Sequence, residues 1–235
     1  MTQKSIVHYC MEQDSIIQYG GIISSEHKGR AKTAAISLTG KNVVDFLLSV
    51  GILIFSFPLF CILSLAIAFT SKGPIIFRQS RIGLNGTCFD IYKFRTMYIE
   101  QEDKLAHKQT ERYDPRVTSV GRILRKTSLD ELPQIFNVIR GEMSLVGPRP
   151  HALGMTVEDS PAEDSVPFYS GRYRMKPGIT GLAQVNGSRG AVHKKQEMVE
   201  RIQYDNYYIE NWTLMLDLKI LIKTSVCLLR CKNVY

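Results

Sequence analysis

The sequence predicts a mainly α-helical membrane protein with a small β-hairpin. Three observations favour this fold class: a long uncharged apolar run, a β-prone stretch interrupted by an Asn-Gly turn, and helix-periodic apolar residues in the second half of the chain. The chain has 235 residues, 44% of them apolar, which is enough for one globular core. We therefore expect a membrane segment joined to a single globular domain.

The apolar run extends from Phe46 to Phe69, and no charged residue occurs from Phe46 to Ser71. Its 24 residues would form a helix of about 36 Å, which is long enough to cross a bilayer. The length of the run and its position after 45 residues argue against a secretory signal. The run is predicted to be a membrane segment.

The charges that flank this run and the proline at its centre help to distinguish a transmembrane span from a re-entrant hairpin. Basic residues flank it on both sides: Lys28, Arg30, Lys32 and Lys41 before it, and Lys72, Arg78, Arg81, Lys93 and Arg95 after it. Because positive charge in short loops marks the cytoplasmic side, a hairpin would keep both flanks inside. Pro58 lies near the centre, where it kinks or breaks a helix, and Ser56 could hydrogen-bond a freed carbonyl. We favour a re-entrant helix-break-helix in a monotopic protein, while a kinked single span stays open.

This interpretation divides the chain into three parts. Residues 1–40 are polar and lack a clear period, so they are predicted to be a flexible cytosolic N-terminal tail. Residues 41–71 form the re-entrant membrane helix, and residues 72–235 form a cytosolic domain.

Local patterns predict the elements of that domain. Ile75–Gln79 and Cys88–Phe94 are β-prone, and Asn85-Gly86 between them is a strong turn signal, so they form the hairpin. The apolar residues from Leu132 to Ile139 follow the spacing of an amphipathic helix. Residues 196–230 predict one or two helices in which aromatic residues adjoin apolar ones, which suits amphipathic helices in the membrane interface; buried core helices are the open alternative.

Asp130 and Glu131 stand side by side within RKTSLDELPQIFNV (125–138), in a chain of net charge +8. Ser128 and Glu131 fit a capping box, and alternatively Asp130 is an N-cap with Pro133 in the first turn. Either register places the pair at a helix N-terminus, where acidic residues are common for purely dipolar reasons. A structural role would by itself account for the pair.

The cationic surroundings point to a reactive role instead. Basic residues are dense around the pair: Lys93, Arg95, Arg116, Arg122, Arg125, Lys126, Arg140 and Arg149. Such an array beside a helix N-terminus can hold phosphate, and turns in LVGPRP (145–150) and KPGITGLAQVNG (176–187) could add backbone amides.

An ionised carboxylate among phosphate-binding cations can attack phosphorus, while a second one can hold Mg²⁺, which takes oxygen ligands together with substrate phosphates. The spacing leaves open which carboxylate attacks. A solvated basic face is the alternative for each cation.

Four segments then resemble a known family: FRQSRIGLNGTCFDIYKFRTM (77–97), DPRVTSVGRILRKTSLDELPQIFNVIRGEMSLVGPRP (114–150), KPGITGLAQVNG (176–187) and YDNYYIENWTLMLDLKI (204–220). The chain resembles the bacterial sugar transferases, which are monotopic polyprenyl-phosphate hexose-1-phosphate transferases that initiate exopolysaccharide and O-antigen synthesis. The resemblance runs from about Lys41 to the C-terminus and implies transfer of a sugar 1-phosphate from a UDP-sugar to undecaprenyl phosphate with release of UMP. UDP-glucose or UDP-galactose is the expected donor.

The resemblance also implies roles for individual residues. Asp130 would be the nucleophile that forms an aspartyl-phosphosugar intermediate, and Glu131 would hold Mg²⁺. Arg125 and Arg149 would bind phosphate, with Lys93 and Arg95 as further candidates, and Asp205 would assist the metal or a ligand. The family breaks its membrane helix at a Ser-Pro pair; here Phe57 separates Ser56 from Pro58, which weakens the expected hydroxyl contact.

The resemblance finally implies a location and partners. We expect the bacterial inner (cytoplasmic) membrane, with the catalytic domain on the cytoplasmic face, and a minimal catalytic unit without the N-terminal multi-span domain of larger relatives. The expected partners are the UDP-sugar, undecaprenyl phosphate and membrane lipids, with a homo-oligomer left open. No nucleic-acid motif occurs. The alternative function is a non-catalytic, membrane-anchored basic scaffold or anion-binding module of a polysaccharide assembly complex.

Overall fold

The structure is a computed structural model that describes residues 28–99, 114–158, 160–192 and 194–230. Most of the secondary structure in these residues is helical, and the strands form small two-stranded sheets. The predicted class, mainly α with a small β-hairpin, is confirmed. The α-helices are α1 (Lys28–Thr70), α2 (Ser119–Thr127), α3 (Ile135–Ile139), α4 (Ala162–Ser165), α5 (Leu182–Val185), α6 (Lys195–Glu210) and α7 (Leu214–Arg230). The strands are β1 (Ile76–Ile82), β2 (Cys88–Phe94), β3 (Ser144–Val146), β4 (Thr156–Val157), β5 (Ser160–Pro161) and β6 (Gly178–Thr180).

Helix α1 differs from the predicted membrane segment in two respects. It begins at Lys28, within the range predicted to be a tail, and it continues through Pro58 without a non-helical segment. The prediction of two helices separated by a break is therefore wrong as a description of secondary structure, because a proline removes one hydrogen bond and the helix continues past it. Ser56 does not compensate: its hydroxyl is buried and has no hydrogen-bond partner among the described residues. Residues 1–27 of the predicted tail lie outside the described residues.

Both ends of the apolar run contact the same globular body. Near its start, Asp45 accepts a hydrogen bond from the Ser144 hydroxyl at 2.7 Å. Near its end, the ring of Phe60 lies 4.7 Å from that of Phe94 in β2, and the Arg95 guanidinium donates to the Ser71 carbonyl at 2.6 Å. The segment from Asp45 to Ser71 thus lies along the domain.

The outer face of α1 is uncovered. Thr39–Thr70 is long and apolar enough to cross a membrane, and only 6% of its most apolar window is buried. Phe55 is 91% exposed and Phe69 is 88% exposed. An apolar surface of this extent indicates contact with lipid or with another apolar partner.

The predicted hairpin is confirmed. Strands β1 and β2 pair antiparallel from Ile76 opposite Phe94 to Ile82 opposite Cys88. The turn is a 3-10 helix, Leu84–Gly86, in which Asn85 has a φ of 53° and Gly86 a φ of 77°. Asn and Gly tolerate this left-handed backbone, which explains why the dipeptide marked the turn.

The two predicted interfacial helices differ from each other. Helix α6 is largely a core helix, because Met198, Ile202 and Tyr208 are fully buried. Helix α7 instead exposes much of its apolar surface, although its Ile220 is buried: Leu214, Met215, Leu218 and Ile222 are each about half exposed. The interfacial pattern therefore describes α7, and the core alternative describes α6.

A short parallel pair of strands positions the last part of the site. Strand β3 pairs with β6, and the chain then turns through Gly147 to the Pro148–Pro150 segment. A Cβ on Gly178 would lie 2.1 Å from the Gly147 nitrogen, so only glycine permits this approach of the two backbones. The close pairing directs Arg149 from this turn towards the acidic pair.

Candidate active site

The acidic pair lies in a 3-10 helix, Leu129–Gln134, and not at the start of an α-helix. Ser128 has a left-handed φ of 57° and makes no side-chain capping hydrogen bond, and α3 begins only at Ile135, after Gln134. Both predicted capping registers are therefore wrong. The physical reason is that Ser128 already ends α2 as its C-cap, so the chain turns before Asp130 and Glu131. The pair still occupies the first turn of a helix, in the 3-10 form.

Glu131 is held by two cations from separate parts of the chain. The ammonium of Lys93, in β2, donates to Glu131 Oε1 at 2.8 Å. The Arg149 guanidinium donates to both carboxylate oxygens, at 3.2 Å to Oε2 and also to Oε1. Burial alone would raise the pKa of Glu131, but Arg149 and Lys93 outweigh it and hold that pKa well below its usual range. Glu131 is therefore ionised throughout the physiological pH range.

Asp130 has a different electrostatic environment. Its pKa is raised to about 6, first by burial and then by the negative charge of Glu131, against the opposing effect of Lys93, Arg125 and Arg149. Two adjacent carboxylates thus have their pKa values driven apart by their surroundings, as is typical of paired carboxyl groups with different roles.

The six predicted residues of the immediate site meet in one cavity of about 530 Å³: Lys93, Arg95, Arg125, Asp130, Glu131 and Arg149. Arg125 donates from Nε to the Thr96 hydroxyl at 2.9 Å, which fixes its side chain. Arg95 donates from Nη2 to the carbonyl and hydroxyl of Ser71. Its Nε and Nη1 are buried and have no hydrogen-bond partner in the part of the chain described here, so this arginine also has donors for a ligand.

Other predicted residues lie elsewhere. Arg122, Lys126 and Arg140 are exposed and do not line the cavity, which fits the solvated-face alternative. Asp205 does not line it either. It is 2% exposed, and its carboxylate lies 3.0 Å from the Arg172 guanidinium, which in turn donates to the Arg149 carbonyl. The carboxylate lies behind the cavity wall, against the base of the segment that carries Arg149.

Several polar residues of the cavity were not singled out as site residues from the sequence, among them Arg81, Gln184 and Arg189. Arg81 reaches the cavity because it lies two residues after Gln79 and therefore on the same face of β1. Burial, together with the charge of Arg149, lowers the pKa of Arg81 to about 10. Gln184 is 7% exposed and its Oε1 has no hydrogen-bond partner among the described residues. The alternation of side chains along the predicted strand could have identified Arg81 as a residue of the cavity. No local sequence pattern distinguishes Gln184 or Arg189.

The cavity is also lined by apolar side chains of the two uncovered helices. These are Ile52 of α1 and Leu221 and Leu228 of α7. The charged pair and the uncovered apolar helices therefore share one cavity.

The acidic pair could bind Mg²⁺ only if a bound ligand and water supplied further oxygen atoms. Among the described residues no group of three or more His, Cys, Asp or Glu side chains could hold a metal. A carboxylate accepts about four hydrogen bonds, and Lys93 and Arg149 together make three to Glu131, which leaves one position on Oε2. One carboxylate ligand supplemented by phosphate oxygens and water is a usual Mg²⁺ environment.

Comparison with known proteins identifies the family. The model of a family described as Bacterial sugar transferase matches residues 36–231. This chain belongs to that family. Proteins similar to this chain include an undecaprenyl-phosphate glucose phosphotransferase from Komagataeibacter xylinus, which is 46% identical over 184 residues. A UDP-glucose:undecaprenyl-phosphate glucose-1-phosphate transferase from Caulobacter vibrioides is 47% identical over 195 residues, and an exopolysaccharide production protein PSS from Rhizobium leguminosarum bv. phaseoli is 40% identical over 191 residues.

The relatives differ in how much of their length this sugar transferase matches. The matched regions cover 78%, 83% and 81% of this chain, respectively. They cover 35% of the K. xylinus protein, 72% of the C. vibrioides protein and 96% of the R. leguminosarum protein. The family match over residues 36–231 includes the acidic pair and all residues that line the cavity.

Proposed function

We propose that this sugar transferase moves a sugar 1-phosphate from a UDP-sugar to undecaprenyl phosphate, releasing UMP, as the first membrane step of exopolysaccharide synthesis. The observation that carries the proposal is a half-buried carboxylate, Asp130, in a cavity that is lined both by cations and by apolar side chains of α1 and α7. A charged donor would meet the cations there, and a lipid acceptor would meet the apolar side chains. The names of the relatives favour UDP-glucose as the donor, with UDP-galactose as the alternative.

The proposed reaction has two displacements at one phosphorus. An oxygen of Asp130 attacks the sugar-proximal phosphorus of the UDP-sugar, and the bond from that phosphorus to the bridging oxygen breaks, so UMP leaves. The phosphate of the lipid then attacks the same phosphorus, the bond to Asp130 breaks, and undecaprenyl-diphosphate-sugar leaves. The first step converts the Asp130 carboxylate into an acyl phosphate, and the second step regenerates the carboxylate. No oxidant or reductant is needed.

The contacts of the two carboxylates favour Asp130 as the attacking group. Glu131 already accepts three hydrogen bonds from Lys93 and Arg149, which stabilise its charge and make its oxygens poor nucleophiles. Asp130 has a raised pKa and therefore a more basic oxygen. Glu131 would hold Mg²⁺, which when bound supplies positive charge to the phosphates. Arg125, Arg149, Lys93 and Arg95 would bind phosphate oxygens and reduce the repulsion between the anionic reactants.

We further propose a monotopic arrangement in the bacterial inner membrane, with the domain on the cytoplasmic face. Support comes from the contacts of both ends of the apolar run with one body and from the uncovered outer faces of α1 and α7. Cysteines introduced at the exposed positions Gly40 and Lys72 should both react with an impermeant reagent from the cytoplasmic side only. Labelling from opposite sides would establish a straight span instead.

The activity is tested by UMP release from the protein in lipid nanodiscs with UDP-glucose, Mg²⁺ and undecaprenyl phosphate. Asp130→Asn should abolish turnover, whereas Asp164→Asn, which changes an exposed carboxylate of α4, should not. Without acceptor, the wild-type protein should release one UMP per chain and gain the mass of one hexose phosphate. Full activity of Asp130→Asn, or no mass gain in a chain that turns over, would exclude the covalent route.

A further inference from the structure

A buried polar cluster lies directly behind the cavity and takes no part in the proposed chemistry. It consists of Asp205 and Arg201 from α6, Arg172 and Tyr169 from the 3-10 helix Tyr169–Arg174, and His151. None of these residues lines the cavity. All five are less than one tenth exposed, so the charges among them must be balanced inside the protein.

We propose that Asp205 is a positioning residue: it neutralises Arg172 and Arg201, and these two arginines fix the backbone segments that carry Arg149 and Arg189 into the cavity. The proposal rests on the proposed function, since its consequence is the binding of the sugar donor. It assigns Asp205 no contact with metal or substrate.

Arg172 holds the first segment. Its guanidinium lies 3.0 Å from the Asp205 carboxylate and donates to the backbone carbonyl of Arg149 and to the Nδ1 of His151. Both side chains of the ion pair are 2% exposed. Arg149 in turn donates from its guanidinium to Glu131. The series of contacts from Asp205 to Glu131 therefore passes through only two residues, Arg172 and Arg149.

Arg201 holds the second segment. Its Nε donates to the Ser188 hydroxyl at 3.1 Å and its Nη2 donates to the Gly190 carbonyl at 3.2 Å. These two contacts lie on either side of Arg189, which lines the cavity. Gly190 has a φ of +83°, a left-handed conformation that suits glycine, and the two hydrogen bonds from Arg201 hold the loop on both sides of Arg189.

Asp205 forms its direct ion pair with Arg172, at 3.0 Å. Arg201 lies four residues before it on α6, and its positive charge also favours the ionised form of Asp205. His151 supplies no second charge, because burial and the neighbouring Arg172 hold its pKa well below the usual value. Removing the Asp205 charge would leave two buried guanidiniums that repel each other, and relief of that repulsion would move the two segments they hold.

The test is Asp205→Asn, which keeps the shape of the side chain and removes its charge. The KM for UDP-glucose should rise by about 10- to 100-fold, because a small displacement of binding groups costs this much. The matched control is Glu210→Gln, which removes an exposed ion pair with Arg174 between the same two elements. The control should keep wild-type kinetic constants.

A double-mutant cycle separates positioning from a general loss of structure. In an Arg189→Ala background, Asp205→Asn should raise the KM by clearly less than it does in the wild type, because one of the two positioned groups is already gone. Equal losses in both backgrounds would overturn the inference. So would wild-type kinetic constants in Asp205→Asn, or a loss that merely follows the fraction of folded protein.

Two further measurements keep the inference testable. If Asp205→Asn does not fold, Arg172→Lys serves instead. A lysine keeps a cation beside Asp205 but cannot donate to both the Arg149 carbonyl and the His151 Nδ1, so this variant should also raise the KM. UDP binding followed by the thermal shift of the protein gives a readout without turnover, and the shift should shrink in both variants. Absence of UMP release from the wild-type protein would defeat the proposed function first, whereas an active wild type with unchanged variants would defeat only this inference.

Discussion

The buried ion pair between Lys41 and Asp217 should contribute strongly to the stability of this protein. Asp217 accepts hydrogen bonds from Lys41 Nζ at 2.6 Å, from the Tyr208 hydroxyl at 2.6 Å and from Trp212 Nε1 at 3.0 Å. The Lys41 side chain is 4% exposed. Lys41→Met keeps the length of the side chain and removes its charge, which leaves Asp217 buried with two neutral donors and no cation. Breaking such a pair from one side costs about 3–5 kcal/mol.

The two halves of the pair should not be equivalent. Lys41 also lies 3.6 Å from Asp45, one turn along α1, so Asp217→Asn leaves the lysine with a second carboxylate. We therefore expect Asp217→Asn to cost less than Lys41→Met. The double variant should cost clearly less than the sum, because the charge left unpaired in each single variant is absent from it.

Thermal unfolding in nanodiscs measures these effects. For a chain of this size the loss in Lys41→Met corresponds to a midpoint lowered by roughly 6–20 °C. Lys72→Met, which changes an exposed lysine at the other end of the apolar run, is the control and should melt like the wild type. A Lys41→Met midpoint within about 2 °C of the wild type, or strictly additive losses, would refute the assignment of stability to this pair.

Three further predictions concern the packing and charge of the domain. Gly178→Ala should abolish UMP release and lower the melting midpoint, because its Cβ would lie 2.1 Å from a facing backbone nitrogen, whereas Gly51→Ala, whose Cβ meets nothing within 4 Å, should leave both measurements unchanged. Tyr208→Phe should lower the free energy of unfolding by about 1–3 kcal/mol in denaturant titrations, since Asp217 and a buried carbonyl lose their hydroxyl donor. Burial raises the pKa of Asp205 from 3.8 to about 6 against the attraction of Arg172 and Arg201. The folded state therefore binds this proton more tightly. The wild type should lose about 3 kcal/mol of stability relative to Asp205→Asn as the pH rises from about 3, below the unfolded pKa, to about 7, above the folded pKa, and melting curves of the two proteins across this range would reveal the difference.

The parts of the fold that the sequence predicts well are those with a local cause. The hairpin follows from alternating side chains and from Asn85-Gly86, whose backbone requirement is visible in two letters. The apolar run is visible from its length alone. Lys93, Arg125 and Arg149 line one cavity with the acidic pair, but the density of charge does not separate them from Arg122, Lys126 and Arg140, which do not line it; the resemblance to the family makes that selection.

The parts that fail have competing local causes or distant ones. The sequence around Ser128 matches a capping box, but in the structure Ser128 is the left-handed C-cap of α2. The sequence does not show whether Ser128 ends one helix or begins the next. Pro58 removes a hydrogen bond, yet the helix continues through it. The partner of Lys41 lies 176 residues away, which no local spacing can indicate.

Asp205 shows the same limit at the level of the site. The sequence places it in a segment that resembles the family, and this alone suggests proximity to the reaction. Its burial against Arg172 shows that proximity here means a position one layer behind the cavity. A motif can therefore identify a residue that matters without telling whether it touches a ligand.

The apolar run and the charged pair are separate features in the sequence, and their meeting in one cavity changes the interpretation of the run. Were the run only an anchor, its side chains would contact lipid and the neighbouring helices and nothing else. Ile52 instead lines the cavity that contains Asp130, together with Leu221 and Leu228 of α7. A cavity that is lined both by apolar side chains of α1 and α7 and by the cations of Lys93 and Arg149 can accept a molecule that is itself divided into a hydrocarbon chain and a phosphate. The segment that would hold the protein in the membrane would then also form one wall of the site for the lipid acceptor.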